Sequence, residues 1–304
     1  MAAALVGTKR HRDLSVFPGH TEDSVLLPIV ESLMRIPRPF KMAALGILRH
    51  VSVTVPARIG GSSFKVPLIE TIGLGHLRPS EPELQTALAA LLPTRAGAFI
   101  DVGANIGQTL LKVRSIDASR RYVGFEPNPA CFAYVQRLID ENRFVDAVCI
   151  PTALGQSDSM VQLFLNSSID ACASTTPAIR RPDYYTTSVT VVQRTGDSVV
   201  ADLGITSVAM LKIDVEGAEL DVLLGFQKTI DQSRPLVCIE VLPPLKGAPE
   251  QTVNARLALA RGISDWATAH RYAIHAVRKD GSLGPAGPFD SDSQRTTNFI
   301  MVPA

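Results

Sequence analysis

The sequence predicts an α/β fold, a mostly parallel sheet with helices on both faces, and three observations lead to it. Strand-like apolar runs alternate with helix-like segments along most of the 304 residues, as in parallel sheets covered by crossover helices. Residues 99–107 (FIDVGANIG) read as a buried strand that ends in a carboxylate and a tight small-residue turn. Residues 208–219 (VAMLKIDVEGAE) read as another apolar strand, emptying into a carboxylate cluster and then a helix.

Element by element, strands are expected near 98–103, 121–126, 147–151, 160–165, 187–193, 208–214, 235–241, 272–278 and 297–302. Helices are expected near 82–92, 105–116, 129–141, 218–231 and 251–270, with Leu220, Leu223, Leu224 and Ile230 at helical spacing in the fourth. The Pro- and Gly-rich stretch 281–288 reads as a connecting loop. Residues 26–55 are hydrophobic but interrupted by Glu31, Arg35, Arg38, Lys41 and Arg49. Five charges suit packed helices better than a membrane span, although 32–51 could lie along a membrane surface. The start of the chain lacks the basic-then-apolar order of a signal peptide. The expected organisation is an N-terminal extension over 1–80, helical and then a strand and loop cap, followed by one elaborated domain over 81–304.

With 46% hydrophobic and 19% charged residues, the chain can bury a sizeable core. A net charge of +1 offers no polybasic footprint for nucleic acid, and the short basic run Lys9, Arg10, His11 and Arg12 reads as a solvated tail. Cys131, Cys149, Cys172 and Cys238 are scattered without metal-ligand spacing. Reduced thiols acting as small hydrophobes in a cytoplasmic protein fit that distribution. Cys172 lies in a polar loop with no base beside it and reads as inert.

The chemistry concentrates at predicted strand ends. Gly103 and Gly107 permit backbone conformations that a Cβ would forbid, and Asn105, which tolerates the left-handed region, forms a capping-box pattern with Gln108. Glu126 closes the next strand 23 residues beyond Gly103, close to the spacing at which an acid accepts hydrogen bonds from both hydroxyls of a ribose. A dinucleotide needs Gly-x-Gly-x-x-Gly to admit its pyrophosphate. Here the glycines stand at other offsets, which disfavours a nicotinamide or flavin enzyme. Parallel sheets bind ligands beyond the carboxyl ends of their strands, so Asp214 and Glu216 should face the same cleft as Asp101 and Glu126.

These residues resemble the FkbM-type methyltransferases, S-adenosylmethionine-dependent enzymes that mostly methylate hydroxyls, often on sugars or polyketide products. The resemblance rests on FIDVGANIG at 99–107, VGFEPN at 123–128, TALG at 152–155, LKIDVEGAE at 211–219, CIEV at 238–241 and TNFIMVP at 297–303, in family order. It implies a Rossmann-like class I methyltransferase fold with a seven-stranded, mostly parallel sheet and an antiparallel closing strand. The implied donor is S-adenosyl-L-methionine, with Asp101, Gly103, Asn105, Gly107, Glu126 and Asp214 as its binding residues.

The acceptor would be a small-molecule or glycan hydroxyl. Because an alcohol is nearly as weak an acid as water, transfer to it calls for a positioned base, and Asp214 and Glu216 are the first candidates. Asp214 could instead orient the donor or cap the following helix. Glu240 ends the strand after that of Asp214, so strand-end carboxylates could hold a divalent cation, although no spacing indicates one; a structural or substrate-contacting role also suits it. His270 and His275 read as structural. Two segments could face the acceptor: 73–80, with His76 and Arg78, and 166–188, with Ser174, Arg180, Arg181, Tyr184 and Tyr185. The tyrosines could stack on a sugar or anchor their loop. A catalytically silent donor-binding module or assembly partner is the alternative, and an NAD-dependent oxidoreductase comes third.

Overall fold

The computed structural model describes residues 52–70, 72–244, 247–289 and 297–304. The expected helices before residue 52, the membrane-surface segment 32–51 and the basic run at 9–12 lie outside them. Residues 52–55, the end of the stretch read as helical, are strand instead. They belong to a hairpin of β1 (Ser52–Ile59) and β2 (Ser62–Ile69), paired antiparallel. Gly60 and Gly61 turn it with φ of 56° and 86°, the positive φ at both positions that a two-residue hairpin turn requires. Val55, Ala57, Phe64, Val66 and Leu68 are buried, and the Tyr134 hydroxyl donates to Pro67 O at 2.8 Å, fastening the hairpin to the body.

Beyond the hairpin come α1 (Pro82–Leu91), β3 (Ala98–Val102), α2 (Gln108–Ile116), β4 (Tyr122–Phe125), α3 (Pro129–Asn142) and β5 (Ala147–Ile150). β6 (Ala153–Leu154), β7 (Ser159–Leu165), β8 (Thr187–Arg194), α4 (Gly196–Asp202) and β9 (Val208–Ile213) follow. The chain continues through α5 (Glu219–Gly225), α6 (Gln227–Ser233), β10 (Leu236–Glu240), α7 (Glu250–Ala269), β11 (Tyr272–Val277), β12 (Leu283–Ala286) and β13 (Asn298–Pro303).

The main sheet has the order β12-β11-β13-β10-β9-β3-β4-β5. Neighbours from β10 through β9, β3 and β4 to β5 are parallel, whereas β13 runs antiparallel between β10 and β11. Seven of these strands have the expected mostly parallel pattern with an antiparallel closing strand. The eighth, β12, is an antiparallel edge partner of β11 and occupies part of the stretch read as a loop, since an edge strand tolerates Gly and Pro that a central one would not. β3 and β9 are buried at every position, as strands covered on both faces must be.

β7 and β8 do not join the main sheet. They pair antiparallel with each other, and β6 completes a separate three-stranded sheet. Their alternating buried and exposed residues, with Met160 and Val192 opposite one another on the exposed side, suit a sheet open to water on one face. The helix expected over 218–231 is two helices, meeting at the fully buried Phe226, whose ψ of 17° departs from the helical value. Adjacent to this break, Gly225 approaches Gly155 O so closely that a Cβ would stand 2.2 Å from it.

Candidate active site

Sheet register assembles the site. Asp101 on β3 lies beside Lys212 on β9 and Gly124 on β4, and Lys212 lies beside Cys238 on β10. Side chains two residues apart on a strand share a face. Two steps onward, Glu126, Gly103, Asp214 and Glu240 therefore arrive at the carboxyl edge together.

The turn after β3 is built for close approach. Gly103 has φ 84°, and a Cβ there would stand 1.8 Å from Asp214 O. Gly103 and Ala104 both donate their N–H to Phe125 O at 3.0 Å. Asn105 takes φ 48°, as its residue type allows, and its Oδ1 lies 3.6 Å from the Cys131 thiol. The expected capping box does not form: Gly107, at φ 83°, is the N-cap, so α2 starts three residues late with no side chain to cap it.

Glu126 is 6% exposed, too buried for a solvated turn acid. Its Oε2 accepts from Asn105 N at 2.7 Å and its Oε1 from Asn128 N at 2.8 Å. Burial pushes its carboxyl up to about 7 against these two donors, helped by the charges of Asp101 and Asp214. Two backbone amides fix the carboxylate, and its remaining lone pairs are free for a ligand.

Behind the cleft lies a buried polar network. Asp101 is fully buried; its Oδ2 accepts from the Tyr122 hydroxyl at 2.5 Å, and its Oδ1 stands 3.5 Å from Lys212 Nζ. The Tyr122 ring and hydroxyl lie about 3 Å from where a Gly124 Cβ would be, so glycine lets the tyrosine cross the sheet face. Lys212 Nζ also stands 3.1 Å from Asp214 Oδ2. Burial opposes the Lys212 charge, yet Asp214 and Asp101 hold its ammonium above the ordinary value. For Asp214, burial is outweighed by Lys212 and by a hydrogen bond from Glu240, which together keep it below the usual carboxylate range. Glu240 is pushed up to about 8 by burial and by the Asp214 charge.

After β9 the chain turns through Glu216 at φ 57° and Gly217 at φ 115°. The Glu219 carboxylate holds this turn, accepting from Gly217 N at 2.9 Å and Val215 N at 3.3 Å, and burial raises it to about 7. Glu216 is buried against Arg180, which donates to its Oε2, and its backbone carbonyl accepts from the Ser174 hydroxyl at 2.6 Å. The 166–188 loop is thereby tied across the strand edge.

A narrow cleft of about 630 Å³, open solvent at its mouth included, runs between these parts. Of the residues expected in it, Gly103, Asn105, Glu126, Asp214 and Glu216 line it. Asp101 and Gly107 do not: Asp101 lies one row behind, and the Cβ position of Gly107 is closed by Leu138 at 2.9 Å. Tyr184 and Tyr185 anchor their loop, donating to Asp170 Oδ1 at 3.2 Å and Cys172 O at 2.9 Å. Arg181 reaches Gly247 O at 3.1 Å. His76 is buried against Tyr134, with Nε2 2.9 Å from Ile106 O. His270 and His275 bond Trp266 O and Gly284 O at 2.7 and 2.9 Å, as structural histidines do. All four cysteines are free thiols.

Among the described residues, one oxygen each from Asp214, Glu216 and Glu240 come within 4.8 Å of one another. Arg180 and Lys212 already neutralise two of these acids, so a cation there would have to displace them. Sequence reasoning passed over Lys212, Arg180 as the partner of Glu216, and Thr152 and Asp170 in the cleft wall. A lysine inside an otherwise apolar strand was the available signal, because a buried ammonium needs a carboxylate.

Residues 101–265 match the Methyltransferase FkbM domain. The chain is 24% identical to "Methyltransferase sdnD" of Sordaria araneosa over 60% of its own length and 82% of that protein. It is 30% identical to "Methyltransferase 1" of Beauveria bassiana over 42% of its length and 57% of that protein. Among solved structures it is similar to the methyltransferase FkbM of Methylobacillus flagellatus KT, with 18% identity, a TM-score of 0.43, and coverage of 68% of this chain and 43% of that one. It is also similar to an O-methyltransferase of Bacillus cereus solved with SAH, with 12% identity, a TM-score of 0.42, and coverage of 74% and 81%.

Proposed function

Because this chain belongs to the FkbM methyltransferase family, we propose that it is an S-adenosylmethionine-dependent O-methyltransferase acting on a hydroxyl of a sugar, glycan or secondary metabolite. The observation that carries the reading is Glu126, held at the cleft wall by the Asn105 and Asn128 amides beside the Gly103 turn. Two amide contacts leave its carboxylate free to accept from the two hydroxyls of an adenosine ribose. Gly103 and Asn105 bring backbone rather than side chain to the ligand.

When bound, S-adenosylmethionine supplies an electrophilic sulfonium methyl. The chain's residues have two tasks: to align an acceptor oxygen, which contributes up to about 7–11 kcal/mol, and to take its proton. Asp214, half-buried at the cleft and beside Lys212, is the proposed base. Glu216 assists by holding Arg180 and the acceptor-side loop in place. Calorimetry with S-adenosylhomocysteine and, separately, with NAD tests the assignment. Binding of the former is expected, and binding of NAD alone would overturn it. Transfer of label from the methyl donor into an extract of the source cell then identifies the acceptor.

A further inference from the structure

We propose that Asp214 and Glu240 form a carboxyl–carboxylate dyad sharing one proton, with Lys212 as its positioning residue, and that this dyad accepts the proton of the acceptor hydroxyl. The dyad itself rests on strand geometry; its chemical role rests on the methyltransferase reading.

The geometry begins with register. Cys238 pairs with Lys212 and Ile239 with Ile213, so Glu240 and Asp214 are forced side by side at the ends of adjacent parallel strands, which lie about 4.8 Å apart. Their side-chain oxygens approach within 4.8 Å of one another. Two carboxylates so placed do not both ionise; the pair keeps one proton between them.

The flanking charges are unequal. Lys212 Nζ is 3.1 Å from Asp214 Oδ2, with Lys112 farther off adding to the positive side of Asp214. Glu240 faces Asp214 and Glu216 across the edge and the Thr297 hydroxyl from its own side. The other acids nearby, Asp101 and Glu81, are paired with Lys212 and Lys112, Glu126 is held by backbone amides, and Glu216 is occupied by Arg180. The proton therefore resides on Glu240 and the charge on Asp214, in agreement with their opposite titration shifts.

In the transfer, the acceptor's O–H bond breaks as its oxygen bonds the methyl carbon, and the carbon–sulfur bond breaks with its electron pair staying on sulfur. The products are the methyl ether and neutral S-adenosylhomocysteine, and the dyad passes from one proton to two. Charge balances, because the sulfonium's positive charge is lost together with the dyad's negative one.

The test is infrared difference spectroscopy of the carboxyl stretch across pH 5–9 on wild type, Glu240→Gln and Lys212→Arg, with S-adenosylhomocysteine calorimetry on each. Wild type minus Glu240→Gln should show one protonated carboxyl at pH 7 that titrates near pH 8. Lys212→Arg, which keeps the charge, should retain that signal, and the pH profile of label transfer into source-cell extract should lose its inflection near pH 8 in Glu240→Gln, whose amide copies the protonated carboxyl. A difference spectrum with no such carboxyl, in a variant that still binds S-adenosylhomocysteine, overturns the dyad. An inflection near pH 8 that persists in Glu240→Gln overturns its catalytic role. Should wild type bind no S-adenosylhomocysteine, the functional reading fails while the infrared result still decides the dyad.

Discussion

At Glu126 the proposed grip on a nucleoside comes down to one side chain. Its amide-held carboxylate must be ionised to accept from two hydroxyls, yet burial raises it to about 7. S-adenosylhomocysteine should therefore bind more tightly as pH rises, by about tenfold per unit below pH 7 and levelling above it; calorimetry between pH 5.5 and 8.5 would read this directly. Glu126→Ala should weaken binding by about 1–3 kcal/mol, the range for a lost hydrogen bond to a charged group. A flat pH profile together with an unaffected alanine variant would remove Glu126 from the ligand. Its place in the cleft wall was legible in sequence, because an acid closing a strand about twenty residues past a glycine turn is a spacing with a mechanism. Its burial was not legible, since the amides that hold it come from two separate loops.

Elements set the next level. The turn after β3 and the end of β9 cross so tightly that Gly103→Ala would drive a methyl into Asp214 O and also force alanine to φ 84°. Left-handed strain of roughly 1–2 kcal/mol and overpacking of roughly 1–3 should together cost about 2–5 kcal/mol, measured as a shift in the urea midpoint. A loss below about 0.5 kcal/mol would mean the crossing relaxes freely. At the far wall of the cleft, Arg180→Met strips Glu216 of its cation and unties the 166–188 loop. Limited proteolysis should then nick the chain within 166–188 faster than in wild type. That loop was recognisable in sequence by its length and polarity, and its tyrosines were ambiguous; the hydrogen bonds to Asp170 and Cys172 O make them anchors. The hairpin of β1 and β2 falls where a strand and loop cap is expected, with alternation and a Gly-Gly pair at 52–69, but its first four residues were read as the end of a longer helical stretch.

The whole molecule concentrates buried acid at one sheet edge, which ties its stability to pH. Glu126, Glu219 and Glu240 all titrate above their ordinary value of 4.5, at about 7, 7 and 8. Folding thus favours their protonated forms, so their contribution is complete below about pH 4.5 and is lost as pH rises through 7 to 8. Asp214 acts in the opposite sense, its contribution lost only as pH falls below the usual carboxylate range. The melting temperature of the ligand-free protein should fall between pH 5 and 8.5, and Glu219→Gln should flatten part of that slope. A melting temperature that rises over this interval would contradict the burial assigned to these groups.

The alternation of elements, the glycine turn after β3 and the strand-end acids Glu126 and Asp214 could be read from the sequence alone, because each depends on backbone conformation or on residues close along the chain. The pairing of Lys212 with Asp101 and Asp214 and the grip of Arg180 on Glu216 were decided only by the tertiary structure, whereas the meeting of Glu240 with Asp214 follows from their places at the ends of successive strands. Those contacts depend on how β3, β9 and β10 align and on where a long loop folds back. Parallel strands are joined by long crossovers, so the partners they bring together are far apart in the chain and no short stretch of it pairs them.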